Sequence, residues 1–366
     1  MKSRQYLPYI TGLKGISCFF IMVGHFSGII KYISSAPFDI TNLMLFCETV
    51  FGLILRESFW LSLFFVSSGY LLAQTTIINI KDLILKCIKR FLRLGIPILF
   101  SSAVIFILLS LIGLHNQATS CYFMNAWYQN AYSTPLTILD IFKSPFDVLI
   151  LNRCIFNSPY WVLREMFVAS LMIYTWLYIR DCLICNHLIR FFIEMIMLWF
   201  GYNFSDVIYA CFIGMVFANY RTFYHKLLPP QYFYGKAISV LLVLLSFKID
   251  WVLFFSLLIY TIPYFSLFDN LLSYRIPSYF GKISWGIYSF HWPMICSLGA
   301  YILLVCFPIY GIWKATILAS SITAFATVIL SHIYTNTFEK WSTKLTAQIT
   351  SQIQRIISRE GSTLAR

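Results

Sequence analysis

The chain has 366 residues, 59% hydrophobic and 11% charged, with a mean hydropathy of +0.75. A soluble domain carries about 25% charged residues, so an ordinary soluble enzyme is excluded and a polytopic membrane protein is indicated. The net charge of +13 is spread over short loops, which encodes membrane orientation and argues against nucleic-acid binding.

The first apolar run, 10–30, follows Lys2 and Arg4 and is too long for a cleavable signal peptide. It reads as a membrane helix holding Lys14 and His25. Their spacing is about three turns, so they share a face about 16 Å apart along the axis. The cation then lies near one surface and the imidazole near mid-depth, where an ionisable group marks a functional site. Segment 41–55 is apolar but interrupted by Glu48 and ends at Arg56-Glu57, so it reads as re-entrant or interfacial. The second span, 59–72, contains Ser67-Ser68-Gly69.

Stretch 81–94 carries Lys86, Lys89, Arg90 and Arg93 at helical spacing, as an amphipathic basic helix on a membrane surface would. The third span, 94–114, includes Pro97, and the longest loop, 115–159, is rich in Tyr, Asn, Ser and Pro. Span four, 160–179, is entered through Tyr160-Trp161 and holds Glu165. Short runs at 188–199 and 204–219 flank Gly201-Tyr202-Asn203, and runs at 237–247 and 251–267 flank Lys248-Ile249-Asp250. A polar linker, 269–282, precedes span nine, 283–307, whose Pro293 would kink the helix and free a carbonyl. Span ten is 313–334, and the tail from Glu339 is polar and basic.

The expected fold is therefore all-α, a polytopic membrane bundle of about ten transmembrane helices. One membrane domain fills 1–340, followed by a basic cytoplasmic tail, 341–366. With ten spans, only Lys31, Arg56, Lys143, Arg153, Arg164, Lys248 and Lys314 of the 27 Lys and Arg fall opposite the termini. This places both termini in the cytoplasm, and the protein is expected in the plasma (inner) membrane.

Several constellations carry chemistry, each beside a plainer structural reading. His25 is either bonded to a neighbouring helix or a general base that takes a proton from a hydroxyl. Lys14, Arg90 and Arg93 either anchor the cytoplasmic face or hold donor phosphates. Ser68 lies in a small-residue stretch that either packs helices closely or lines a passage. Glu165 either pairs with a neighbouring cation or orients an acceptor or a histidine. His291 either packs in an aromatic belt or lines the site, and Glu339 caps the last span. Cys18, Cys211, Cys296 and Cys306 read as small core residues. No metal spacing is convincing, the nearest being Cys182, Cys185 and His187. Cys121 and Cys154 flank one loop and would pair only if it faces an oxidising compartment.

Five stretches in order resemble the membrane acyltransferase-3 family, the polysaccharide O-acetyltransferases and their relatives. Gly12-Leu13-Lys14-Gly15 through His25 resembles the family's Asp-Gly-Leu-Arg-Gly opening with its later histidine. Phe64 to Tyr70 resembles Phe-Phe-x-x-Ser-Gly-Phe. Arg90 and Arg93 resemble Arg-x-x-Arg. Trp161-Val-Leu-Arg-Glu165 resembles Trp-x-Leu-x-x-Glu, one residue tighter. Gly281 to Pro293 resembles Gly-x-Ile-Ser-Tyr-x-x-Tyr-x-x-His-x-Pro, with Trp285 for the first tyrosine. Glu339 stands without the family's following proline. Lys14 replaces arginine, keeping the charge but losing bidentate recognition. Thr11 replaces the aspartate, removing any ion pair built on it.

The resemblance implies a ten-helix membrane domain with acyl-CoA, usually acetyl-CoA, as cytoplasmic co-substrate and no bound cofactor. It implies transfer to a carbohydrate hydroxyl of a surface polysaccharide or its lipid-linked precursor. His25 is then the catalytic candidate. Lys14, Arg90 and Arg93 contact the donor, and Ser68, Glu165 and His291 line the site. Membrane lipid is the other expected partner, nucleic acid is not one, and a homo-oligomer is left open. A transporter or flippase for a lipid-linked saccharide would also use a polar midplane. The sequence shows none of the inverted repeats or paired broken helices that would favour it.

Overall fold

A computed structural model describes residues 7–30, 56–120 and 125–363. Every regular element among them is helical. The fourteen used below are α1 (Pro8–Ile30), α2 (Glu57–Ala73), α3 (Ile80–Ile112), α4 (Ile138–Phe146), α5 (Trp161–Cys182), α6 (His187–Phe204), α7 (Asp206–Leu227), α8 (Phe233–Ile249), α9 (Trp251–Thr261), α10 (Ser266–Ser273), α11 (Arg275–Lys282), α12 (Ser284–Met294), α13 (Ala300–Tyr334) and α14 (Lys340–Thr363). The apolar segment expected at 41–55 and the Cys121 half of the cysteine pair lie outside the described residues.

Each of the ten expected spans falls on helix, but the count is not borne out at ten. Among the described residues, five stretches are long and apolar enough to cross a membrane: Pro8–Phe26, Ile80–Ile112, Ser158–Cys182, Ser284–Gly311 and Lys314–Ile356. A sixth arises if Trp251–Tyr264 and Ser266–Ser273, bent by 104°, form one span. Length accounts for part of the shortfall. Helices α2 and α8 have 17 residues each, about 26 Å of helix, against a hydrocarbon core of about 30 Å.

Local chemistry sets the helix starts. Asn79 Oδ1 accepts from the Asp82 amide (2.9 Å) at the start of α3, and Asp82 pairs with Lys86 (2.8 Å). Asn186, Ser205 and Asp250 cap α6, α7 and α9 in the same way. The basic stretch at 81–94 is therefore no separate surface helix. It is the opening of the 33-residue α3, because nothing between Lys81 and Pro97 interrupts its hydrogen bonds. The tail from Glu339 likewise continues as helix, through a π turn at Thr335–Glu339 into α14, which packs along α3. The polar linker at 269–282 folds as α10 and α11, against α1.

Packing centres on α1, α2, α3, α5, α7, α9 and α12. Met22, Val66, Ile98, Ile173, Phe212 and Ile287 are fully buried there. Helices α2 and α7 cross closely at Gly69 and Gly214. A Cβ on Gly69 would lie 1.9 Å from the Cys211 carbonyl oxygen, and one on Gly214 would lie 2.1 Å from that of Val66. The outward faces stay apolar: Ile107, Leu111, Phe192, Trp199, Leu244 and Phe325 are exposed. In a membrane protein that surface is covered by lipid tails. Two ends follow from this arrangement. One holds the start of α1 with α10, α11 and the opening of α3, and the other holds the long loop between α3 and α5.

Candidate active site

The Lys14 end is shaped by a second close crossing. A Cβ on Gly15 would sit 2.3 Å from the Gly281 amide nitrogen, and one on Gly281 would sit 2.2 Å from the Thr11 carbonyl oxygen. The glycines around Lys14 thus let α1 lie directly on α11, and Thr11 is part of that contact. Lys14 Nζ stands 5.1 Å from the centroid of the Phe64 ring on α2. The charges of Arg90 and Arg93 on α3 act on the Lys14 ammonium. Arg90 is half-buried, and its Nε donates to Ser170 Oγ on α5 (2.9 Å). Arg93 is exposed. Three cations therefore collect at one end of α1, and like charges so gathered attract an anion.

Farther along α1, His25 meets a second histidine. Its ring stacks with His291 of α12 at 5.1 Å between centroids and 13° between planes. Trp127 and Trp292 also flank it, at 5.3 and 5.8 Å, and stack on each other at 3.8 Å. His291 is 1% exposed. Its Nδ1 donates to the Ile287 carbonyl (3.0 Å). A carbonyl only accepts, so this bond fixes the proton on Nδ1 and leaves a lone pair on Nε2. That Nε2 is buried and has no hydrogen-bond partner among the described residues.

Pro293 explains how α12 holds this pair. Proline has no N–H, so the Ser289 carbonyl one turn back loses its helical partner. Asn157, from the long loop, donates to it through Nδ2 (3.0 Å) and also reaches the Tyr288 carbonyl (3.3 Å). The freed carbonyl expected from the sequence thus becomes the attachment point of the loop. Beyond it the chain relaxes into a π turn, Ile295–Gly299.

The remaining expected site residues sit elsewhere. Ser68 Oγ donates back to Phe64 O within α2 (2.8 Å), beside the Gly69 crossing. Glu165 accepts a hydrogen bond from Ser205, the cap of α7, and so ties α5 to the α6–α7 turn. Neither touches the ring cluster through any bond described here. Trp127 was not singled out from the sequence. Its one signal was its place in an aromatic-rich loop, and its contact with His25 depends on the fold. Glu194, by contrast, is buried and accepts from Trp176 (3.0 Å) and Asn219 (2.7 Å), joining α5, α6 and α7.

The loop end also bears a cleft of about 380 Å³, with Trp292 in its wall. Cys154 lines it too, and burial pushes its thiol up to about 12, so it stays protonated and un-nucleophilic near neutral pH. Among the described residues, no three His, Cys, Asp or Glu side chains gather as a metal ligand set.

Against known families, an acyltransferase domain matches residues 7–336. The chain belongs to the acyltransferase-3 family. No curated protein and no solved structure gives a significant match. The match runs from the start of α1 to the π turn after α13. It therefore takes in both ends of this acyltransferase, the cation cluster and the histidine pair.

Proposed function

We propose that this acyltransferase moves an acyl group, acetyl in the first instance, from acyl-CoA to a carbohydrate hydroxyl of a surface polysaccharide or its lipid-linked precursor. The observation that carries the reading is the layout of α1. A cation cluster sits at one end, and His25, stacked on His291 of α12, sits about 16 Å farther along the same helix. Lys14, Arg90 and Arg93 hold the donor phosphates, and the extended pantetheine arm brings the thioester toward His25. The cations supply position rather than chemistry.

In the reaction, His25 takes the proton of the acceptor hydroxyl as its oxygen attacks the thioester carbonyl. A C–O bond forms, the C–S bond breaks, and the departing CoA thiolate recovers the proton from His25. His291, with its lone pair on Nε2, provides a second proton acceptor against the same ring. The cation balance supports both termini in the cytoplasm of a plasma (inner) membrane protein, with short helices completing ten crossings. The donor then binds on the cytoplasmic side and the acceptor on the other.

The test is transfer of labelled acetyl from acetyl-CoA to glycan in membranes, with mass spectrometry of surface glycans from cells with and without the gene. His25→Ala at equal membrane abundance abolishes the label. Persistence of acylation in that variant would sink the mechanism. Saccharide translocation without acyl-CoA consumption would replace it with a transporter.

A further inference from the structure

The cleft at the loop end is built from the segments around Tyr132 and Asn152, together with Trp161 and Trp292. Its volume of about 380 Å³ lies within the range of about 300–1,000 Å³ that small-molecule sites occupy. Among the described residues that line it, none is charged. They offer amides (Asn130, Asn152), hydroxyls (Tyr132, Ser158) and indoles. Trp161 is exposed, whereas Trp292 is fully buried and flanks His25. A ligand against Trp292 is therefore one side chain away from the imidazole.

Two observations set the cleft and the wall behind it apart. The first is backbone strain. Among the described residues, Tyr132 (φ 58°) and Asn152 (φ 57°) are the only non-glycines in the left-handed region, and both line this cleft. A bulky residue held there is a true outlier, and such strain concentrates at ligand clamps. Neighbours enforce it: Tyr132 Oη donates to Phe156 O (2.9 Å), and Asn116 Nδ2 holds the Tyr128 and Ala131 carbonyls (2.9 and 3.0 Å). The second is an orphan donor. Trp292 Nε1 is buried without a hydrogen-bond partner among the described residues, although buried indole N–H groups usually have one.

We propose that this cleft is the acceptor subsite and that it takes an uncharged sugar ring. The exposed Trp161 indole fits the apolar C–H face of a pyranose, while the amides and hydroxyls meet its oxygens. A uronate or phosphosugar would bring a charge into a site that offers no cation, at a desolvation cost the uncharged ring avoids. The fate of the bound sugar rests on the acyl-transfer reading, but its binding does not.

Saturation-transfer NMR on the full chain in lipid nanodiscs tests the assignment, with methyl glucoside, galactoside and rhamnoside set against methyl glucuronide. The neutral glycosides should saturate, with the glucuronide weaker by about tenfold or more, the cost of one unpaired polar contact. Trp161→Ala and Asn152→Gly should each weaken the neutral glycosides by about tenfold. Glycine keeps the left-handed backbone, so Asn152→Gly reports the amide and not the fold. The assignment is overturned if no glycoside saturates, if the glucuronide binds equally well, or if both variants bind as the parent does. His25→Ala should keep sugar binding while losing transfer. If sugars bind in the cleft but no acyl group ever moves, the acyl-transfer reading fails and the subsite stands. Transfer without cleft-dependent binding gives the reverse.

Discussion

The two ends of this bundle have opposite chemistry. At the Lys14 end two adjoining clefts of about 690 and 680 Å³ share Tyr279 and Lys282 and are bordered by Arg275, Lys340 and Lys344. The opening of α3 adds Lys86, Lys89, Arg90 and Arg93. One of them, Lys86, is paired with Asp82 (2.8 Å). At the other end the cleft beside His25 is lined by uncharged residues. A phosphate-bearing ligand is attracted to the first and has nothing to pair with in the second. Under the proposed function, this difference would give the reaction a direction, with a polyanionic donor entering at one end and a neutral acceptor at the other.

The largest expected effect falls on the histidine end. His25→Ala should lower the transfer rate by about 10²–10⁴-fold, the usual contribution of a general base. Thermal stability in detergent should barely move, because His25 is only half-buried. A rate within a few-fold of the parent would leave the two ends as mere anchoring chemistry.

Next comes the tie that builds the histidine end. Asn157→Ala removes the donor to the Ser289 carbonyl and leaves a buried acceptor unsatisfied, costing about 1–3 kcal/mol. Denaturant unfolding in micelles measures that loss. Its functional counterpart is a fall in kcat with little change in the KM for acyl-CoA, because the disturbance lies at the acceptor end. A rise in donor KM instead would couple the two ends directly.

The sequence exposed the helices well and the site unevenly. Apolar runs and capping residues such as Asn186, Ser205 and Asp250 are local signals, so the elements from α5 to α9 fall close to their expected places. Continuity was less visible. Polarity in 81–94 and after Glu339 suggested separate surface pieces, yet hydrogen bonds carry α3 past Arg93 and lead α13 through the π turn at Thr335–Glu339 into α14. Small residues were ambiguous for a related reason. The Ser67-Ser68-Gly69 stretch reads as close packing or as a passage in one dimension, but at Gly69 the opposing backbone of Cys211 fills that space in three. Pro293 was readable, since a missing N–H has one consequence, although the identity of Asn157 as its remedy was not. Trp127 was illegible because no periodicity operates in the loop that carries it.

A smaller effect separates two arginines at the other end. Arg90→Gln removes a half-buried guanidinium that also bonds Ser170, whereas Arg93→Gln removes an exposed one. Each should raise the KM for acyl-CoA with kcat nearly unchanged. The Arg90 change should be larger, about tenfold, as fits a charge-assisted bond of about 1.5–3 kcal/mol. Raising the salt concentration should shrink the Arg93 effect first, since an exposed charge is screened more. Equal effects at all salt concentrations would place both side chains in one closed site.

The finest test is Lys14→Arg. Lysine presents a single ammonium near the Phe64 ring, under the field of Arg90 and Arg93. Arginine would keep the charge, stack its planar guanidinium on that ring and offer a bidentate face to phosphate. The neighbouring glycines do not obstruct this, because their close contacts are with α10 and α11 rather than α2. The expected outcome is an unchanged kcat and a KM for acyl-CoA that is unchanged or lower by a factor of about ten at most, the value of one added charge-assisted bond. Steady-state kinetics over acyl-CoA concentration read both numbers. A fall in kcat would mean that Lys14 acts on the reacting end after all, and the separation between a donor end and a chemical end would have to be redrawn.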